Sequence, residues 1–126
     1  MFNHVMVGSN DIARSRAFYD AVLAPMGLRS EPIEQIAAYR SEHGNFVAIK
    51  PRDGKLATIS NGATVGFRAT SPAMVDAFHA AGLANGGTCE GPPGVREESP
   101  GRMYGAYLRD PDGNKICAFA PNHSNQ

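Results

Sequence analysis

The chain has 126 residues, 42% apolar and 19% charged, a composition that supports one globular domain with a real core and leaves too little chain for two. Twelve basic residues balance twelve acidic ones, so nothing in the charge points to nucleic acid, an acidic partner or an anionic membrane surface. No apolar run approaches the roughly 20 residues that span a bilayer, and the opening MFNHVMVGSND lacks the basic start and long apolar stretch of an export signal, so a cytoplasmic location is expected. The two cysteines, Cys89 and Cys117, are accordingly read as free thiols rather than a bridge.

In chain order, FNHVMVG alternates as a strand does, with Val5 and Val7 on one face. Asp11 then caps a helix running to about Ala24, its apolar stripe formed by Ile12, Phe18, Val22 and Leu23, and Gly27 follows Pro25 at its end. Strands are expected over roughly 28–34, 36–42 and 45–50, the last two joined by a tight turn in SEHGN. Residues 51–62 read as a linker. ATVGFRA is again strand-like, with Val65 and Phe67 on one face. Ser71 caps a second helix with Pro72 at its first position, and Val75, Phe78 and Leu83 form its stripe before Gly86-Gly87. Three more strands are expected at roughly 88–91, 103–109 and 114–120, the last two joined through DPDGN. EGPPGVREESPGR between them reads as a Gly- and Pro-rich loop.

The two halves repeat. An offset of 60 aligns residues 2–28 with 62–88 and gives eight identities, from Val5/Val65 to Gly27/Gly87. The order of patterns, βαβββ twice, matters more than the count. It predicts an α+β fold of two tandem modules, 1–50 and 63–121, whose strands form a curved, cup-shaped mixed sheet with helices outside.

Three segments carry a family resemblance: NHVMVGSNDIARSRAFYDAVLAPMGL, TVGFRATSPAMVDAFHAAGLANGG and YGAYLRDPDGNKICAF. Together they resemble the glyoxalase/bleomycin resistance/extradiol dioxygenase, or vicinal oxygen chelate, superfamily. The resemblance implies two half-cups and a divalent metal, such as Zn, Ni, Mn or Fe, that polarises adjacent substrate oxygens. Its ligands come from the first and last strand of each module. Carried over by position, those slots are His4, Thr64, Ala48 and Cys117, where the family commonly has His, Gln or Glu. His4 alone is a customary ligand; Cys117 could serve a soft metal as thiolate, and Ala48 cannot coordinate. The site is therefore read as degenerate, with no metal required and His4 and Cys117 the only candidate ligands or catalytic groups.

Alternation places His4 with Phe2 and Met6, Thr64 with Gly66 and Arg68, Ala48 with Phe46 and Lys50, and Cys117 with Lys115 and Phe119. The other faces, with Val47, Ile49, Ile116 and Ala118, are left for the helices. A cup lined by Arg68, Lys50 and Lys115 favours an organic anion over a dication. Tyr39, Tyr104 and Tyr107 supply an aromatic wall whose facing is open, and Arg96 and Arg102 sit in a loop able to close over a ligand or merely connect strands. Each has a plain alternative. His4 also reads as a hydrogen-bonded strand histidine, Cys117 as a small buried hydrophobe, and the two lysines as strand-end groups reaching water. His79, beside Phe78, reads as structural or solvent-facing, His43 as a turn residue and His123 as part of a polar tail, and Cys89 has no identifiable partner.

Three functions compete: a metal-dependent lyase or isomerase of the glyoxalase type using His4, a metal-free binding protein, and a dimeric interaction module. The lost ligands favour a protein binding a small, anionic or oxygenated organic molecule in its cup. A ring-cleaving dioxygenase is disfavoured, since its iron needs two histidines and a carboxylate. The resemblance implies a homodimer, leaving open whether modules pair within or between chains.

Overall fold

The computed structural model describes residues 1–122; His123 lies outside the described residues. After β1 (His4–Gly8) the chain turns at Asp11, whose carboxylate accepts from the Arg14 amide and starts α1 (Ile12–Leu23). Phe18, Tyr19, Val22 and Leu23 form its buried stripe. One turn of tighter helix, Ala24–Met26, ends at Gly27 with φ 77°, a conformation glycine adopts without strain. α2 (Pro72–Ala84) begins likewise, with Ser71 accepting from the Met74 amide. At its end the two glycines divide the work. Gly86 takes the left-handed turn at φ 94°, whereas a Cβ on Gly87 would meet the Arg109 carbonyl at 2.9 Å.

Each helix returns the chain to a sheet. β2 (Ala37–Ser41) and β3 (Gly44–Ile49) join β1 in the order β1-β3-β2. β4 (Val65–Arg68), β5 (Thr88–Val95), β6 (Tyr104–Arg109) and β7 (Lys115–Ala120) form the second sheet in the order β4-β7-β6-β5. In both, the strand before the helix pairs in parallel with the last strand of its module, and all other pairs are antiparallel. The fold is thus α+β, two helices with two open mixed sheets of three and four strands, rather than one continuous sheet.

Two expectations need correction. The strand expected at 28–34 shrinks to a single bridge between Ser30 and Tyr39, because Arg29, Glu31 and Pro32 offer neither alternation nor a full set of amides. Conversely, β5 continues to Val95 through residues read as loop. Pro92 and Pro93 are tolerated there because β5 is an edge strand and is bulged, with register shifts on either side of Gly91.

One buried cluster runs through both modules, and α1 packs against α2 within it. Its aromatic spine passes from Tyr19 to Phe46 (4.7 Å between ring centres) and on to Phe67 (5.1 Å) and Phe78 (6.5 Å). Phe46 and Ala48 belong to this core, which corrects the sequence assignment of both to the cup face. β3 is in register with β1 so that Phe46 sits beside Val5 and Ala48 beside Val7; the face shared with His4 and Met6 belongs instead to Asn45 and Val47.

The DPDGN segment does more than turn the chain. Asp110, 4% exposed, accepts from the Asp112 and Asn114 amides at one oxygen and from Tyr19 Oη (2.6 Å) and Asn114 Nδ2 (2.9 Å) at the other. Asp112 accepts from the Asn10 amide, Arg14 and Ser15, and Asn114 Nδ2 also donates to the Gly8 carbonyl. The turn of module two is thereby clamped onto the strand–helix junction of module one.

Candidate functional site

The two edge strands β1 and β4 flank a cavity of about 410 Å³ lined by His4, Val5, Asn45, Val65, Gly66 and Arg68, with Phe46 and Phe67 among its apolar walls. Tyr39 borders it by its ring, but its hydroxyl donates to Asp20 (2.8 Å) and the residue is buried in the core. Burial first, then that hydrogen bond, raises the Tyr39 phenol well above its ordinary range, so it stays protonated. His4 is exposed, its Nδ1 2.7 Å from Asn3 Oδ1. The Arg68 guanidinium makes no hydrogen bond or ion pair among the described residues.

A second hollow of about 510 Å³ lies on the face of β5, β6 and β7 turned away from α2. Here the Tyr107 ring carries Lys115 Nζ at 5.0 Å and the Arg96 guanidinium at 5.7 Å, and meets Phe119 edge-on at 5.6 Å. Arg96 is held by the Pro92 and Gly94 carbonyls, and glycines make its place: a Cβ on Gly91 or Gly94 would come within 3.1 or 3.3 Å of the guanidinium. Arg68 is in register with Phe119, so the two hollows adjoin across β4 and β7. Glu90 and Glu98 also border the second hollow; Glu90 is ion-paired with Arg109 at 3.3 Å.

The sequence candidates thus separate into groups. His4 and Arg68 share the first hollow, and Arg96, Tyr107 and Lys115 the second. Thr64 is exposed one residue before β4, and Lys50 is exposed one residue past β3. Arg102 is turned to Glu97 in a bidentate pair (2.8 and 3.0 Å), and Tyr104 donates to Asp76. Asn45, Gly91 and Gly94 were not anticipated; the GPPG segment was the available signal for the glycines, since paired prolines flanked by glycines mark a bulged edge. Among the described residues no three His, Cys, Asp or Glu side chains gather closely enough to hold a metal ion. The residues therefore do not fit the divalent ion that the resemblance implies.

Cys117 lies in register with Gly66, where a Cβ would approach its sulfur to 3.3 Å. It is 6% exposed, and burial pushes the thiol from 9.0 up to about 11, with Lys115 opposing. The folded protein then keeps a proton that the unfolded chain releases, so this contribution to stability is full below about pH 9 and is lost as pH rises toward 11. The urea midpoint of the wild type is expected to fall more steeply than that of Cys117→Ala across this window; parallel profiles would show a freely ionising thiol.

A sequence model of the Glyoxalase/Bleomycin resistance protein/Dioxygenase superfamily matches residues 1–118. A glyoxalase/bleomycin resistance protein from Albidiferax ferrireducens T118 is 52% identical in sequence, and its crystal structure superposes with a TM-score of 0.89 over 97% of this chain and 99% of that one. A lactoylglutathione lyase from Agrobacterium tumefaciens shares the fold at 21% identity and a TM-score of 0.63, over 95% of this chain and 92% of that one. The hypothetical protein SA1046 from S. aureus does so at 17% and 0.74, over 95% and 92%. No curated protein matches this sequence.

Proposed function

The chain belongs to the glyoxalase/bleomycin resistance protein/dioxygenase superfamily, and on that footing we propose that it binds a small organic anion with an aromatic or conjugated body on the helix-free face of its second sheet. The observation that carries this reading is the Tyr107 ring with Arg96 and Lys115 upon it, beside Phe119 and Arg68, which has no hydrogen-bond or ion-pair partner among the described residues. Three cations, Arg68, Arg96 and Lys115, line the two hollows with Glu90 and Glu98, and Glu90 is already neutralised by Arg109. Aromatic edges and faces take a flat ligand body, and the spare guanidinium takes a carboxylate or similar oxyanion.

The metal-dependent lyase or isomerase reading assigns His4 as ligand or base. The donor set argues against it: of the four slots only His4 is a customary ligand, Thr64 is exposed outside β4, Ala48 is in the core, and Cys117 is a buried, protonated thiol. The protein is read as a homodimer, because Phe2 (66% exposed) and Met6 (51% exposed) lie beside His4 next to the open edge of β1, a surface a second copy would cover. No helix among the described residues is long and apolar enough to cross a membrane, and two unbridged cysteines suit the reducing cytoplasm.

The test is calorimetric titration with aromatic carboxylates and their neutral amides. Carboxylates should bind while the matched amides do not, and Arg68→Ala, at an exposed position, should weaken binding on the order of tenfold or more with the fold intact. Equal binding of acid and amide, or an unchanged affinity in the variant, would sink the proposal.

A further inference from the structure

Cys89 lies at the start of β5 in register with the core residue Leu108, so it points to the side of the sheet covered by α2. There His79 of α2 meets it, with Nε2 3.1 Å from Cys89 Sγ. His79 is 8% exposed, whereas Cys89 is exposed on an edge strand and open to reagents. The anion-binding face is on the other side of the same strands, with Tyr107 and Lys115. We propose that Cys89 and His79 form a thiol–imidazole pair at which the Cys89 sulfur exchanges with small organic disulfides and is capped as a mixed disulfide.

The step balances without any other reactant. The Cys89 sulfur bonds to one sulfur of the disulfide, the disulfide S–S bond breaks, and the second sulfur leaves as a thiolate with the electron pair. The Cys89 proton passes to His79 Nε2 and from there to the leaving thiolate or water. The surroundings suit a proton acceptor more than a standing ion pair. Burial lowers the imidazole below its ordinary value, and Asp76, one turn earlier on α2, pulls it back up. Asp76 is itself engaged by Tyr104 of β6 at 2.6 Å. Glu90, next to Cys89 on β5, is paired with Arg109 of β6, and Lys115 of β7 is on the far face of the sheet. Burial thus favours the neutral imidazole, whose Nε2 faces the thiol and, in the tautomer protonated at Nδ1, takes its proton during attack.

The experiment follows release of the chromophoric thiol from dithiodipyridine by stopped flow, in the wild type, Cys89→Ser and His79→Gln, from pH 6 to 8. A fast phase equal to one thiol per chain is expected in the wild type and is lost in Cys89→Ser; Cys117, buried, reacts slowly. His79→Gln should slow the fast phase by about tenfold or more at pH 7. An unassisted thiol with a pKa of about 8.5 loses rate about tenfold per pH unit below that value. The wild-type rate should instead change by less than about threefold from pH 7.5 to 6.5, because burial holds the imidazole below its ordinary value. Were His79→Gln to misfold, the wild-type slope decides alone. A tenfold-per-unit slope in the wild type, an unchanged rate in His79→Gln, or a fast phase that survives in Cys89→Ser overturns the proposal.

Discussion

Phe46→Ala is expected to lower the folding free energy by about 3–5 kcal/mol, the range for removing a large ring from a filled core. Phe46 is 5% exposed and stands at the middle of the aromatic spine, touching Tyr19, Tyr39 and Phe67, so its loss opens a hole at the seam between the two modules. A companion Leu56→Ala, at a position 79% exposed between the two modules, should stay within about 0.5 kcal/mol of the wild type. Urea unfolding followed by circular dichroism measures both. A midpoint left in place by the Phe46 truncation would refute the register described above.

Asp110→Ala should cost about 3 kcal/mol or more. The carboxylate satisfies four donors, the amides of Asp112 and Asn114, Asn114 Nδ2 and the buried Tyr19 hydroxyl, and truncation leaves several of them without an acceptor. Tyr19→Phe removes only one donor and leaves the carboxylate three partners, so about 1 kcal/mol is expected. The two variants combined should cost less than the sum of the separate losses, because they share one hydrogen bond. A loss under about 1 kcal/mol for Asp110→Ala would mean that the turn closes well enough without its carboxylate.

Much of the architecture was legible because it rests on local chemistry. Asp11 and Ser71 cap the helices as their spacing predicts, and the internal repeat foretold two modules of like element order. The facing of β3 was not legible. An offset of 69, inherited from the second hairpin, put Ala48 in a ligand slot, and in a period-two strand a one-residue slip exchanges the faces. In module two the same reasoning had no slip to suffer, and Arg68, Cys117, Lys115 and Phe119 do share a face. The ring with its two cations needed Tyr107 and Lys115 to be placed across a pair of strands and Arg96 to fold back from a bulged edge, which no local pattern encodes. His79 and Cys89 were dismissed separately because a helix–strand turn hides their contact from any reading of spacing.

The clamp made by the DPDGN turn has a consequence for the order in which the chain acquires its structure. Its bonds join residues 91 to 106 positions apart, from Tyr19–Asp110 to Gly8–Asn114. Such long loops close late, since their entropic cost comes before any contact that offsets it. On the ribosome the first helix emerges long before its partner turn, and the Tyr19 hydroxyl and Gly8 carbonyl must stay with water until nearly the last strand has been made. These bonds of the N-terminal module therefore form only once the DPDGN turn is available.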